Sequence, residues 1–242
     1  EERDLLLVAV AQDWQALSYA GPGLRADPEV VLAALQASWL ALEEAAEELR
    51  ADRTFMLQAV KQQGLALRFA SYELRADREV VLEAMRQHGE ALRSAAPELH
   101  ADRDFMLSAV RIDGGALLFC GEEFRSDQDF VLEAIRVDWG VLSLASPELW
   151  VDRNFMLRAA DVQGLTLRFA SSELQSDREL VLRAVRQSGH ALECAAEELR
   201  AEPDVVLEAV RQDWEALRWA SEALRRDRAF LLQVVRIQGM SL

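Results

Sequence analysis

Cysteine, histidine and lysine are nearly missing from this chain. Two cysteines, Cys120 and Cys194, and three histidines, His88, His100 and His190, are scattered over 242 residues. No zinc-type ligand spacing can be built from them, so neither a metal nor any other cofactor is expected. Lys61 is the single lysine, and every other base is arginine. No run of about 18 apolar residues is present, so no segment reads as a membrane-spanning helix. No basic-then-apolar leader opens the chain, and an intracellular location is favoured over a secreted one. A phosphate-cradling glycine loop and a GxSxG elbow are also missing, and the chain is read as non-enzymatic. What is abundant is acid: 42 Asp and Glu against 27 bases give a net charge of −15. Such a charge repels nucleic acid and acidic membrane surfaces at long range. The hydrophobic content of 51% excludes a disordered chain.

The dominant feature is a period of 25 residues without insertion or deletion. An acid, usually followed by Arg, recurs at Glu2, Asp27, Asp52, Asp77, Asp102, Asp127, Asp152, Asp177, Glu202 and Asp227. Counting from that acid, position 6 is always leucine, from Leu7 to Leu232. Position 8 is alanine in nine repeats, and position 16 is always leucine, from Leu17 to Leu242. Apolar sites at positions 5, 6, 8 and 9 follow helical spacing, not strand alternation. The chain therefore reads as one helical repeat domain, 1–242, in which each unit packs on its neighbours. Cys120 and Cys194 fall three repeats apart, too far for the roughly 7 Å Cα separation a bridge needs, and free thiols are expected.

The acid at position 1 suits an N-cap. Pro28 and Pro203 at position 2 suit the first helical residue. Gly64, Gly89, Gly114, Gly164, Gly189 and Gly239 at position 13 suggest a left-handed C-terminal cap. Four repeats carry Trp14, Trp39, Trp139 and Trp214 there, so those turns are expected to take another shape. A short helix from about position 14 to 20 follows. Pro22, Pro97 and Pro147 at position 21 should then break the chain into a turn or 3₁₀ segment, with Ser146 or Ser171 as a local cap.

A second period lies on the first. Position 18 is aromatic in alternate repeats, at Tyr19, Phe69, Phe119, Phe169 and Trp219, and Met alternates with Val at position 5. Large and small side chains in successive layers meet the demand for close packing. Stretches such as Asp77–Gly89 (DREVVLEAMRQHG) and 164–182 (GLTLRFASSELQSDRELVL) resemble the domain-of-unknown-function 4116 repeat, whose unit spans two of the repeats here. The resemblance covers essentially the whole chain and implies a helical array without implying an activity. A looser likeness is to leucine-rich variant repeats, which alternate α and 3₁₀ helices. The strand-forming leucine-rich repeat is disfavoured because its LxxLxLxxN pattern is missing.

The expected fold is all-α. It is a right-handed α-solenoid of about ten repeats, each a three-turn helix plus a short helix or 3₁₀ turn, paired into 50-residue units. One face is expected to carry the arginines of positions 10 and 17. The expected function is a protein–protein interaction scaffold for a protein partner, since solenoids present long surfaces. The alternative is a structural subunit of a larger assembly, because the array stops mid-repeat without a polar capping repeat. RNA binding and enzymatic activity rank below both. Candidate interaction residues are the tryptophan column (Trp14, Trp39, Trp139, Trp214), Arg111 and Arg136 at position 10, and two departures from the pattern, Trp150 and Asp161.

Overall fold

The computed structural model describes residues 2–239, and every regular element among them is helical. Each repeat opens with a long helix: α1 (Glu2–Gln12), α2 (Pro28–Ala37), α3 (Arg53–Gln62), α4 (Arg78–Gln87), α5 (Arg103–Ile112), α6 (Gln128–Val137), α7 (Arg153–Val162), α8 (Arg178–Gln187), α9 (Pro203–Gln212) and α10 (Arg228–Gly239). Position 12 leaves the helix in an extended conformation, as at Gln63, and a 3₁₀ segment follows, as in Gly64–Phe69. After a second extended stretch a single helical turn closes the repeat, as in Tyr72–Arg75. Leu242, the last position-16 leucine, lies outside the described residues.

Two local expectations are corrected. The 3₁₀ segment precedes the short helix, and Pro22, Pro97 and Pro147 start that last turn instead of breaking a helix. Proline fits there because the first helical N–H has no partner to lose. Ser71, Ser171 and Ser221 cap the same turn, each Oγ accepting from the leucine N–H three residues on at 3.4 Å. Ser146 makes no such bond. Second, no residue among those described has a positive φ. The glycine at position 13 is therefore not a left-handed cap, and α10 runs on through Gly239. Trp14, Trp39, Trp139 and Trp214 start their 3₁₀ segments just as Gly64 does.

Glycine at position 13 serves close approach. A Cβ on Gly64 would lie 2.3 Å from the Ala84 carbonyl oxygen, and one on Gly164 would lie 2.2 Å from that of Ala184. Both carbonyls belong to position 8 of the next long helix. That alanine column is itself buried, so small residues on both sides let backbones meet.

The chain divides into two compact units, residues 1–121 and 122–242. Within each, long helices stack on long helices and 3₁₀ segments on 3₁₀ segments, giving two walls of a tandem-repeat solenoid. Fully buried leucines at position 16 form the spine: Leu17, Leu42, Leu67, Leu92 and Leu117 in the first unit, Leu142, Leu167 and Leu192 in the second. The equally invariant position 6 lies nearer the surface. Leu182 and Leu207 line a groove beneath the stems of Arg178, Arg186 and Arg211, where long side chains cover apolar surface. The position 10 arginines sit on the long-helix wall and the position 17 arginines on the 3₁₀ wall, so they do not share one face.

Two bonds recur at the junctions between repeats. The backbone N–H at position 20 donates to the carbonyl of position 24 one repeat earlier: Ser71 to Arg50 at 2.9 Å, Ala96 to Arg75 at 2.8 Å, Ser171 to Trp150 at 3.0 Å. On the long-helix wall, the arginine at position 2 reaches the acid of the next repeat. Arg53 Nε donates to Asp77 Oδ2 at 2.8 Å, while Asp77 Oδ1 accepts from the N–H groups of Glu79 and Val80. Arg153 with Asp177 and Arg3 with Asp27 repeat the arrangement at 2.6 Å. One carboxylate thus caps its own helix and ties it to the preceding one, which accounts for the recurring Asp-Arg pair. Glu202 receives Arg178 at 2.9 Å but caps nothing; the longer side chain reaches the neighbour and misses its own backbone.

Positions 2 and 13 vary together. Repeats starting at 52, 77, 102, 152, 177 and 227 combine Arg with Gly, and those starting at 27, 127 and 202 combine Pro28, Gln128 and Pro203 with Trp. Only the first repeat mixes the types, with Arg3 and Trp14. Asp52 and Asp227, which follow the two prolines, receive no side chain from the repeat before, and Asp152 receives only the neutral amide of Gln128, at 2.8 Å. At the two proline junctions the long helices also pack less extensively: α2 with α3, and α9 with α10, meet over less of their length than α3 with α4 or α7 with α8, whereas α6 with α7, joined through Gln128, meet as extensively as the bridged α4 with α5. Arginine-bridged junctions therefore alternate irregularly with junctions that lack the ion pair.

Hydrogen exchange should separate the two kinds: α2 and α3 are expected to exchange faster than α7 and α8, and Pro28→Arg to narrow the gap by supplying the missing bridge to Asp52. Acid should loosen the bridged junctions. Asp27 and Asp177 are held below the ordinary value of 3.8, first by the arginine hydrogen bond. At Asp77 burial pushes upward, but Arg53 and the cap bonds together outweigh it. A depressed carboxylate stabilises the fold fully above its unfolded pKa, and the contribution is lost as pH falls through the lower folded value. The melting temperature is thus expected to be flat above about pH 5 and to fall steeply below about pH 4.

Candidate interaction surface

The 3₁₀ wall carries the aromatic side chains that sequence alternation singles out. Position 18 projects from the end of each 3₁₀ segment, where its ring is half-buried at Phe69, Phe119, Phe169 and Trp219. Each ring is covered by the repeat before it. Trp39 packs on Phe69 with centroids 5.6 Å apart, and Trp139 on Phe169 at 6.0 Å. Where position 13 is glycine, other groups take that place. Arg93 lies 6.0 Å from the Phe119 ring centre, and His190 meets Trp219 edge-on at 4.9 Å. His190 Nδ1 also lies 2.9 Å from Asp213. The 50-residue period is thus a pairing of neighbouring repeats through one aromatic contact.

Trp39 and Trp139 are half-buried wedges of this kind. Trp14 is half-buried without an aromatic partner, because position 18 of the next repeat is Glu44. Trp214 is 59% exposed. Arg136 is exposed and donates to Glu133 at 2.6 Å, one helical turn away. Arg111 is exposed on α5.

The two departures from the pattern have partners within the fold. Position 24 is occupied by Arg, His, Trp or Gln, all with a planar nitrogen that can donate. In four repeats it donates to a carbonyl in or just after the 3₁₀ segment, whereas Arg50, Arg75, Arg125 and Arg200 keep a buried Nε without a partner. Arg25 Nε donates to the Ala20 carbonyl at 3.0 Å, and Arg225 Nε to that of Ala220 at 3.1 Å. Gln175 Nε2 donates to the Leu167 carbonyl at 3.3 Å, and Trp150 Nε1 to that of Leu142 at 3.2 Å. His100 faces the backbone of Ala95 and Phe119, and burial lowers its pKa. Trp150 therefore does the work of an arginine. Asp161 is matched by Arg183 of the next repeat at 2.9 Å. One repeat later Arg186 meets Glu208 at 3.0 Å, the same two positions with their signs exchanged. Phe124, another departure, is buried and stacks on Phe130 at 5.1 Å.

Sequence reading undervalued position 17. Arg68, Arg93 and Arg218 are exposed on the 3₁₀ wall and pair with no carboxylate, although Arg218 lies 5.0 Å from the Trp219 ring centre. Arg168 is only loosely placed at 3.9 Å from Glu193. The signal was available: position 17 has no acid at a fixed offset, whereas positions 2 and 10 do. In the second unit a cavity of about 180 Å³ opens on this wall, lined by Trp139, Leu165, Arg168, His190, Glu193 and Cys194. Cys194 replaces the aromatic of neighbouring repeats there, and burial raises its thiol pKa. Neither cysteine forms a disulfide among the described residues. No described helix is long and apolar enough to cross a membrane.

The assignment of Trp150 can be checked directly. Trp150→Phe should remove the second of two donors to the Leu142 carbonyl, which keeps the Ala145 N–H at 3.2 Å, and cost about 1 kcal/mol in denaturant unfolding, while Trp150→Arg should restore most of the loss.

A family model described as "Domain of unknown function (DUF4116)" matches the chain five times, over residues 2–50, 52–100, 102–150, 152–200 and 203–242. Neither the curated proteins nor the solved structures give a match. Each full match begins at the acid of an odd-numbered repeat and ends on position 24 of the next, so the ring contacts Trp39–Phe69, Trp139–Phe169 and His190–Trp219 join one family unit to the one after it. By these matches and by its uninterrupted helical repeats, the chain belongs to the DUF4116 family.

Proposed function

We propose that the protein is a non-enzymatic interaction scaffold and that the 3₁₀ wall of each unit binds a protein partner. The observation that carries this reading is the set of half-buried aromatic rings repeated at position 18, beside exposed arginines, Arg68, Arg93 and Arg218, that pair with no carboxylate. Aromatic and arginine side chains dominate the energetics of protein interfaces. The long-helix wall offers less, because its charges are neutralised across the junctions by partners in the same chain. Net charge disfavours extended nucleic acid as the partner.

A photo-crosslinking residue placed at Leu118 or Ser143, both on the 3₁₀ wall, should capture a discrete protein from the native source. The same residue at Glu83 or Arg136, on the long-helix wall, should not. Excess unlabelled protein should compete the product away. Equal capture from both walls, or capture of RNA in place of protein, would overturn the reading.

A further inference from the structure

The fold supplies its own example of a carboxylate bound on the 3₁₀ wall. In the second repeat position 18 is Glu44, and Arg25, at position 24 of the repeat before, holds it at 3.3 Å. The same register recurs elsewhere: His100, also at position 24, meets the following position 18, Phe119, with ring centres 6.5 Å apart. Position 17 flanks that place from the other side. Arg93 lies over Phe119, and Arg168 lines a cavity together with Cys194, the position 18 residue of the repeat after it.

In the fourth repeat position 18 is Ser94, a half-buried hydroxyl. Its two flanking positions are both arginine, Arg68 and Arg75, a combination with small position 18 that occurs at no other junction of the described repeats. Neither arginine has a carboxylate partner. Arg75 lies 5.8 Å from the Tyr72 ring centre, and its Nε is buried without a hydrogen-bond partner. The neighbouring repeats place Phe69 and Phe119 on either side. The repeat register thus assigns two cations and a hydroxyl to the place that Glu44 and Arg25 occupy two repeats earlier, with aromatic residues at position 18 of the repeats on either side.

Resting on the proposed role of the 3₁₀ wall, we infer that the niche formed by Arg68, Arg75 and Ser94 binds a carboxylate of the partner: a Glu or Asp in a segment with aromatic or aliphatic side chains on both sides. The paired guanidinium groups supply charge-assisted bonds to the carboxylate. The flanking rings take the apolar neighbours. An extended phosphate backbone fits worse, because exposed Glu43 and Glu90 lie on the same wall and the chain carries −15 overall. A lone carboxylate among apolar groups meets the two arginines without meeting that repulsion repeatedly.

The probe is a fluorescein-labelled nonapeptide with one central glutamate between phenylalanine and leucine, compared by anisotropy with its glutamine counterpart and a nine-nucleotide single-stranded RNA. The glutamate peptide should bind the full chain at least about tenfold more tightly than the glutamine peptide, and the preference should shrink with added salt. Ser94→Glu should fill the niche from within, as Glu44 does, raising the melting temperature and abolishing the preference. Arg68→Glu, at an exposed site, should abolish it without unfolding the chain. Equal binding of both peptides, tighter binding of RNA, or an unchanged preference in Ser94→Glu would overturn the inference. If the crosslinks from Leu118 and Ser143 persist under any of those outcomes, only the carboxylate chemistry falls; if they are missing too, the binding face falls with it.

Discussion

The array depends on one carboxylate used twice. At Asp77 one oxygen closes the first turn of its own helix and the other receives Arg53 from the repeat before. A single side chain thereby couples local helix formation to the register between neighbours. Fixing the first turn is the costly step in making a short helix. Where the bridge is present, tying that step to the preceding repeat makes one unit a template for the next, which is the physical content of nearest-neighbour stability in repeat proteins. The backbone bond from position 20 to position 24 performs the same coupling at the far end of the repeat, without any demand on side-chain identity.

Much of this was legible in the sequence, and what was missed has a common cause. Helical spacing at positions 5, 6, 8 and 9, the aspartate caps and the 50-residue pairing could all be read because they obey local rules. The glycine at position 13 was misread because glycine has two uses, and sequence alone does not distinguish a left-handed turn from a place where two backbones touch. The Ala84 carbonyl beside Gly64 decides between them. Pro147 was misread for a similar reason: proline ends one helix as readily as it begins another. Leu182 and Leu167 are equally invariant by position, yet one lines a surface groove and the other is fully buried, because invariance reports constraint and not depth.

Candidate binding residues were harder to read. Trp150 and Asp161 stood out as departures, but each keeps a structural bond with different chemistry: an indole N–H for a guanidinium, an inverted ion pair for the usual one. The useful signal lay in residues that obey the pattern and yet lack a carboxylate partner, Arg68 and Arg93 among them. Whether an arginine is used internally depends on what lies 22 to 26 residues away, and that offset becomes visible only once the stacking is known.

The sign reversal between Asp161–Arg183 and Arg186–Glu208 has a consequence for how such a gene can change. Tandem copies this similar invite unequal crossing-over, which deletes or duplicates whole units in frame. A recombinant that set the Asp161 helix directly before the Glu208 helix would face two like charges across the new seam. The copies are consequently not interchangeable, and their order along the chain is itself inherited information.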